Sequence, residues 1–203
     1  MRNINGRVVS IPLTDMRNIN GRVVSEALRQ LVRGFLLTII CQRLTEMKEN
    51  GFYVIKDEFF SDMNDPYLKG NKNEKRPHYY CLTDSILNFH WMIPMSSRVE
   101  KYQRIIDKRL MNGKTCDILH IAKLDNDRKN AFLIQDIFPI TEKYILREYY
   151  ISETPLTLTS QHEINEIDKR ARKVIELLKH GVVFTPTQPN IKLIIEKLNE
   201  QKE

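Results

Sequence analysis

With 203 residues, 41% of them hydrophobic and 29% charged, the chain is long enough for one well-cored, globular domain. Its longest apolar stretch, Gly34 to Cys41, is less than half of the roughly eighteen residues a membrane span needs, so no membrane partner is expected and a cytoplasmic location is the simplest expectation. Three cysteines (Cys41, Cys81, Cys116), odd in number and far apart, offer neither a disulfide framework nor a CxxC-type zinc site, and read as buried thiols.

The net charge of +6 is unevenly placed, which matters more than its size. Residues 1–46 hold seven Arg and no Lys against Asp15, Glu26 and Glu46, a balance of +4, whereas the remainder holds seventeen Lys and eight Arg against 23 acidic residues. A nearly neutral body leaves room for a local cationic patch but not for a protein coated in positive charge. Within the first segment Met-Arg-Asn-Ile-Asn-Gly-Arg-Val-Val-Ser occurs at 1–10 and again, unchanged, at 16–25. A period of 15 residues is too short for a solenoid unit, and two copies cannot bury a shared core. Leu28, Leu31, Val32, Phe35, Leu36 and Ile39 could line one helical face, but residues 1–46 are expected to be an extension foreign to the domain at 47–203.

From Met47 the pattern predicts short strands and turns, then helices. Gly51 to Ile55 reads as a strand and Ser61 to Lys75, rich in Asn, Asp, Lys, Gly and Pro, as a long loop. His78 to Leu82 and Phe89 to Met95 are β-like, and Val99 to Met111 reads as a helix closed by Asn112-Gly113. Ile118 to Lys123 and Ala131 to Ile137 read as a hairpin turning at Asp125-Asn126-Asp127. The C-terminal third reads as helical. Ser160 and Glu163 have capping-box spacing at the start of a helix whose apolar face is Ile164, Ile167, Ala171, Val174, Ile175 and Leu178 and which Gly181 ends. Asn190 could cap a last helix carrying Ile191, Ile194, Ile195 and Leu198. The fold class is α+β, strands first and helices last.

Five segments, Gly51-Phe-Tyr-Val-Ile-Lys56, Lys75-Arg-Pro-His-Tyr-Tyr80, Trp91-Met-Ile-Pro-Met-Ser-Ser-Arg98, His120-Ile-Ala-Lys123 and Phe132-Leu-Ile-Gln-Asp-Ile-Phe-Pro139, stand in the order seen in the ToxN/AbiQ/CptN toxins of type III toxin–antitoxin systems. The chain resembles that family from about Met47 onward. Phe184-Thr-Pro-Thr-Gln-Pro189 adds a likeness to its CptN branch. The resemblance implies a compact, strongly curved antiparallel β-sheet core of the MazF/Kid type with added helices. It also implies a metal-independent endoribonuclease, without cofactors, that leaves 2′,3′-cyclic phosphate and 5′-hydroxyl ends. Its partners would be an RNA substrate and a repeat-derived pseudoknot RNA antitoxin, held in a protein–RNA hetero-oligomer.

Cleavage of RNA without a metal requires an activated 2′-hydroxyl, a stabilised phosphorane and a protonated leaving oxygen. Ser96 and Ser97 lie where an apolar strand gives way to a helix, so their hydroxyls and the first helical amides could meet a phosphate. By position alone Ser97 reads as an N-cap; the resemblance makes it catalytic, and the two roles are compatible. Where the family usually carries a lysine after that serine, this chain has Arg98, a good phosphorane ligand and a poor base, with Lys101 one turn along. Lys75 or Arg76 matches a second basic position, and a tyrosine found in some members is replaced near Phe59 and Phe60. His78 reads either as the proton-transfer group, with an ordinary pKa of about 6.5, or as a core histidine. His120 is a second, lesser candidate; His90, His162 and His180 read as surface or packing residues.

Lys75, Lys101, Lys123, Lys169, Arg170, Arg172 and Lys173 are the expected RNA-backbone contacts, although a basic helix face is by default simply solvated. Two other functions fit the same residues: an RNA-binding protein whose departures have abolished cleavage, and an mRNA interferase controlled by a protein antitoxin.

Overall fold

A computed structural model describes residues 47–125 and 127–201; the repeat and the expected extension at 1–46 lie outside the described residues. Nine strands and four α-helices make up the described part. In chain order they are β1 (Phe52–Ile55), α1 (Asp57–Met63), β2 (His78–Asp84), β3 (Phe89–Ser96), α2 (Val99–Met111), β4 (His120–Lys123), β5 (Lys129–Phe132), β6 (Phe138–Ile140), β7 (Ile145–Glu148), β8 (Tyr150–Ile151), β9 (Thr154–Pro155), α3 (Gln161–Lys179) and α4 (Ile191–Glu200). The α+β class therefore holds.

Seven strands, all paired antiparallel, form one sheet in the order β4-β5-β3-β2-β1-β7 with β6 also on β3; β8 and β9 are a separate hairpin. The path is open, ending at β4 and β7, and the sheet is not strongly curled, unlike the strongly curved core the resemblance implies. β3 is the spine. One edge pairs with β2, while the other pairs first with β6 (His90 to Met92) and then with β5 (Met95 and Ser96). Residues 78–82 and 89–95 are buried without alternation because the sheet is covered, with α3 packed on β2, α4 on β6 and α2 on β4 and β5. Each fully buried aromatic such as Trp91, Tyr79 or Phe132 contributes about 2–3 kcal/mol of transfer free energy to this core.

The departures from expectation have local causes. α1 falls partly in the segment expected to be a loop. Phe59 and Met63, four apart, bury one face of it, Asp57 and Glu58 favour its N-terminus, and Asn64 at φ 45° ends it in the left-handed conformation. The expected strand Ala131 to Ile137 is broken by a 3-10 turn at Ile134–Asp136, which lets β5 and β6 reach β3 separately. The C-terminal third is not wholly helical, since β6 to β9 occupy much of residues 138–155 and helix begins at Gln161.

No capping box forms either. Ser160 is the N-cap of α3, but its side chain makes no cap bond, and Glu163 instead meets His120 of β4. The Asn190 cap does form, its Oδ1 accepting from the Leu193 amide at 3.2 Å, and Gly181, at φ +83°, follows the end of α3 as expected.

Candidate functional site

The end of β3 lies beside the start of β2, with His78 opposite Pro94 and Ser96 opposite Ala131 of β5. Three chain segments converge on this corner and enclose a cleft of about 250 Å³. The loop entering β2 supplies Lys72, Lys75 and Arg76; the β3–α2 junction supplies Ser96, Ser97 and Arg98; the β4–β5 turn and β5 supply Arg128, Lys129 and Asn130. Tyr149, Ile151 and Leu156 form an apolar side. Among the described residues, six cationic side chains and no carboxylate line it. Such a lining is unfavourable unless an anion occupies it, and it suits a polyphosphate backbone.

The loop bearing Lys72, Lys75 and Arg76 is over-determined. Asn71, 3% exposed, donates to the Ile55 carbonyl at 2.8 Å and accepts the Glu74 amide at 3.2 Å, while its own carbonyl takes the Arg76 amide at 2.8 Å. Lys69 is paired with the buried Asp136, and Glu74 with Arg147 of β7. These bonds hold Lys72, Asn73 and Glu74 in three consecutive left-handed conformations, φ 56°, 56° and 62°, at a cost of about 1–3 kcal/mol for each of the two residues other than Asn. Opposite, Asp125 accepts from Thr157 Oγ1, Thr159 Oγ1 and the Thr159 amide, which fastens the β4–β5 turn to the segment behind β9.

Within the cleft Ser97 is exposed and its hydroxyl makes no hydrogen bond with the described residues, so it is not the cap of α2. Arg98 occupies that N-cap position, and Ser96 Oγ accepts the Arg98 amide at 3.3 Å. The first-turn amides of the 13-residue α2 follow directly, a ready anion contact. Arg76 donates to the Gly70 carbonyl at 2.9 Å. Burial holds its pKa below the ordinary guanidinium value; Tyr102 and Asp136 oppose the shift and neighbouring Arg98 adds to it.

Of the residues the sequence singled out, Ser96, Ser97, Arg76, Arg98 and Lys75 are thus brought together. His78 is not. Its ring is fully buried between Phe60 and Phe138, and neither nitrogen makes a well-formed hydrogen bond with the described residues. Desolvation, followed by the Arg76 charge, pulls its pKa down to about 3 against the opposing backbone of Lys69 and Tyr53. The core reading of His78 is what the structure places there. His120 lies outside the cleft, bonded to Glu163. Lys101 is exposed one turn beyond Arg98, and Lys123 pairs with Asp127 at 2.6 Å.

The basic side of α3 lines no part of the cleft. Arg170 donates to the Cys116 and Leu119 carbonyls and to Glu166, and Lys173 pairs with Asp117, while Lys169 and Arg172 are exposed. Among the described residues no group of three His, Cys, Asp or Glu side chains converges as a metal site, and no helix is long and apolar enough to cross a membrane. Sequence reasoning missed Lys72, Arg128, Lys129 and the whole Tyr149–Leu156 side. Its available signal was two basic pairs, each on a turn-rich segment.

The fold is similar to that of AbiQ, a lactococcal anti-phage endoribonuclease belonging to the type III toxin–antitoxin system, with a TM-score of 0.59 at 10% sequence identity over 77% of this chain and 100% of that one. No protein-family model matches the sequence, and no curated protein matches it.

Proposed function

We propose that the chain is an endoribonuclease toxin of the type III kind, nearest in its motifs to the CptN branch, that cleaves RNA in the cationic cleft without a metal. The observation that carries this reading is the meeting of six cations with two serine hydroxyls and a helix N-terminus at one corner of an AbiQ-like fold. In this scheme Ser97 and Ser96 and the first amides of α2 orient the scissile phosphate. Arg76 and Arg98 stabilise the phosphorane, in a half-enclosed setting where preorganised charge is the largest catalytic term. The proton donors within reach of a leaving 5′-oxygen are the ammonium groups of Lys72, Lys75 and Lys129 and the Tyr149 phenol. His78, enclosed in the core, takes no part. The 2′-hydroxyl gives its proton to solvent water at the mouth of the cleft, its oxygen bonds to phosphorus as the phosphorus–5′-oxygen bond breaks, and the 5′-oxygen takes a proton from one of these donors, which leaves a 2′,3′-cyclic phosphate and a 5′-hydroxyl.

A structured repeat RNA occupying the same cationic surface is the inhibitor this reading requires, in a cytoplasmic protein–RNA hetero-oligomer. The test is purified protein with RNA in EDTA, followed by analysis of the ends. Cleavage with cyclic-phosphate termini supports the scheme, and full dependence on added Mg²⁺ or Mn²⁺ overturns it. A second reading, RNA binding without cleavage, draws on the absence of histidine and carboxylate from the cleft lining. Binding with intact RNA after prolonged incubation would favour it.

A further inference from the structure

The cleft does not end at its apolar side. Behind Leu156 lies a second cavity of about 310 Å³, bounded by residues 48–52, Glu148 and residues 155–159, and Leu156 lines both spaces. The dividing wall is fixed by the backbone. The Tyr149 amide donates to the Phe52 carbonyl at 2.7 Å and the Leu156 amide to the Tyr149 carbonyl at 2.9 Å. Consecutive residues consequently face different spaces, Glu148 lining the second cavity and Tyr149 the cationic cleft.

The two spaces differ in sign. Against six cations and no carboxylate in the cleft, the second cavity is lined, among the described residues, by Glu49 and Glu148 with Lys48 the single cation, and its walls include Pro155, Leu156 and Leu158. Phosphate is repelled there; a flat, apolar ring bearing hydrogen-bond donors is not. Glu148 accepts one bond, from the Tyr150 hydroxyl through Oε2 at 2.9 Å, which leaves Oε1 open, and the Glu49 carboxylate accepts none from the described residues.

Resting on the reading of the cleft as an RNA site, we infer that this cavity is a nucleobase subsite, which takes the base next to the phosphate held at Ser97 and selects a base carrying an exocyclic amino group over uracil. Apolar walls and open carboxylates are the pairing such a base requires: burial of its ring faces, and acceptors for the exocyclic N–H donors of adenine, guanine or cytosine that uracil lacks. The Asp125 bonds to Thr157 and Thr159 keep the far wall in register with the β4–β5 turn, so that base and phosphate sites hold a fixed spacing.

The experiment uses the full chain and an RNA oligonucleotide with one cleavage site, identified by sequencing 5′-hydroxyl ends. The two nucleotides flanking the scissile phosphate are varied in turn through A, G, C and U, and through purine riboside for A and inosine for G. At one flanking position, A, G or C should be cleaved about tenfold or more faster than U, and removal of the amino group should lose about the same factor. Glu148→Ala and Glu49→Ala, made separately, should compress that ratio toward one. Because the readout is a ratio among substrates, a general loss of activity or stability scales every term alike. No preference at either position, or a preference that survives both substitutions unchanged, overturns the subsite while leaving the cleavage reading intact. If the protein binds these RNAs without cutting them, the cleavage reading fails and the same ratios read as dissociation constants decide the subsite. If it neither cuts nor binds RNA, both fall.

Discussion

Glu163 of α3 hydrogen-bonds the His120 imidazole of β4 instead of turning back to the amide of Ser160, so a residue with the spacing of a helix cap serves as a clasp between helix and sheet. The two predict different mutational responses. In a capping box, Ser160→Ala would cost about 1 kcal/mol. Here Ser160→Ala should be nearly silent, whereas Glu163→Ala leaves a mostly buried imidazole without its partner and should destabilise by about 1–3 kcal/mol. Denaturant midpoints of the two variants decide between them.

His78 makes stability depend on pH. Its folded pKa, about 3, lies below the ordinary value of about 6.5, so between those limits the unfolded chain binds a proton that the folded chain does not. Stability is therefore fully present above pH 6.5 and falls as the pH drops toward 3, by up to about 5 kcal/mol from this residue alone. His90 and His120, also shifted down by burial, act in the same direction. His78→Leu should flatten the slope between pH 7 and pH 4.5 to the part contributed by the other titrating groups, His90 and His120 among them. It should cost little at pH 7, because neither ring nitrogen makes a well-formed hydrogen bond with the described residues and the backbone of Lys69 and Tyr53 interacts with the ring only weakly. It should also leave cleavage intact. A His78→Leu protein that folds but no longer cuts RNA would return the histidine to the mechanism.

These residues show where the sequence was informative. The continuous apolar runs of β2 and β3, the caps at Asn190 and Gly181, and the serine–arginine junction before α2 depend on local chemistry, and each stands where it was expected. Edge and turn strands do not. Ile145–Glu148 and the β8–β9 hairpin are short, half exposed and without alternation, so the place of Ile145–Glu148 is decided by pairing with β1, and the segment after the hairpin is held by the Gly51–Thr157 bridge, rather than by their own residues. The apolar side of the cleft belongs to that region and was missed with it. For His78 the residue type left proton transfer and a place in the core equally open, and only the burial pattern of β2 reveals that the ring does not reach solvent.

Ser97 is the most direct probe of the site. Its exposed hydroxyl makes no hydrogen bond with the described residues, so Ser97→Ala should leave the unfolding midpoint within about 0.5 kcal/mol of wild type while lowering cleavage by about 10²-fold or more. Ser96→Ala should lose less activity and slightly more stability, since its Oγ holds the Arg98 amide. Growth arrest on expression of Ser97→Ala at wild-type level would remove the serine from the mechanism.

The guanidinium pair can be separated by salt. Arg98 is exposed and Arg76 half buried, and both line the cleft. If each meets one backbone phosphate, Arg76→Ala and Arg98→Ala should each reduce the slope of log affinity against log salt by about 0.7 for single-stranded RNA. Arg98→Lys should keep the slope yet lose turnover, because a point charge replaces a planar fork at the phosphorane. A slope unchanged in both alanine variants would mean that the RNA backbone lies elsewhere.

Every described residue lining the cleft lies between Lys72 and Leu156, and none of the roles proposed above is assigned to residues 1–46. That segment repeats a decapeptide without change, uses Arg to the exclusion of Lys, and contains no Tyr, although the rest of the chain holds seventeen Lys and eight Tyr. Perfect identity over two short copies suits a constraint on nucleotides better than one on a protein fold, whose surface positions tolerate change. The spacing of 15 residues corresponds to about 45 nucleotides, a length fit for one repeat of a structured RNA. On the proposed function, the DNA of this segment is expected to encode part of the RNA antitoxin, and the enzyme is expected to work without the peptide. A protein of residues 47–203 should therefore cut RNA within a few-fold of the full chain, and RNA transcribed from the DNA of the repeat should bind it and suppress cleavage. The binding arm has its own control, an RNA of the same length with the repeat scrambled. If the shortened protein fails to fold, the segment is a working part of the domain; if the repeat RNA binds no better than the scrambled one, the repeat has some other origin.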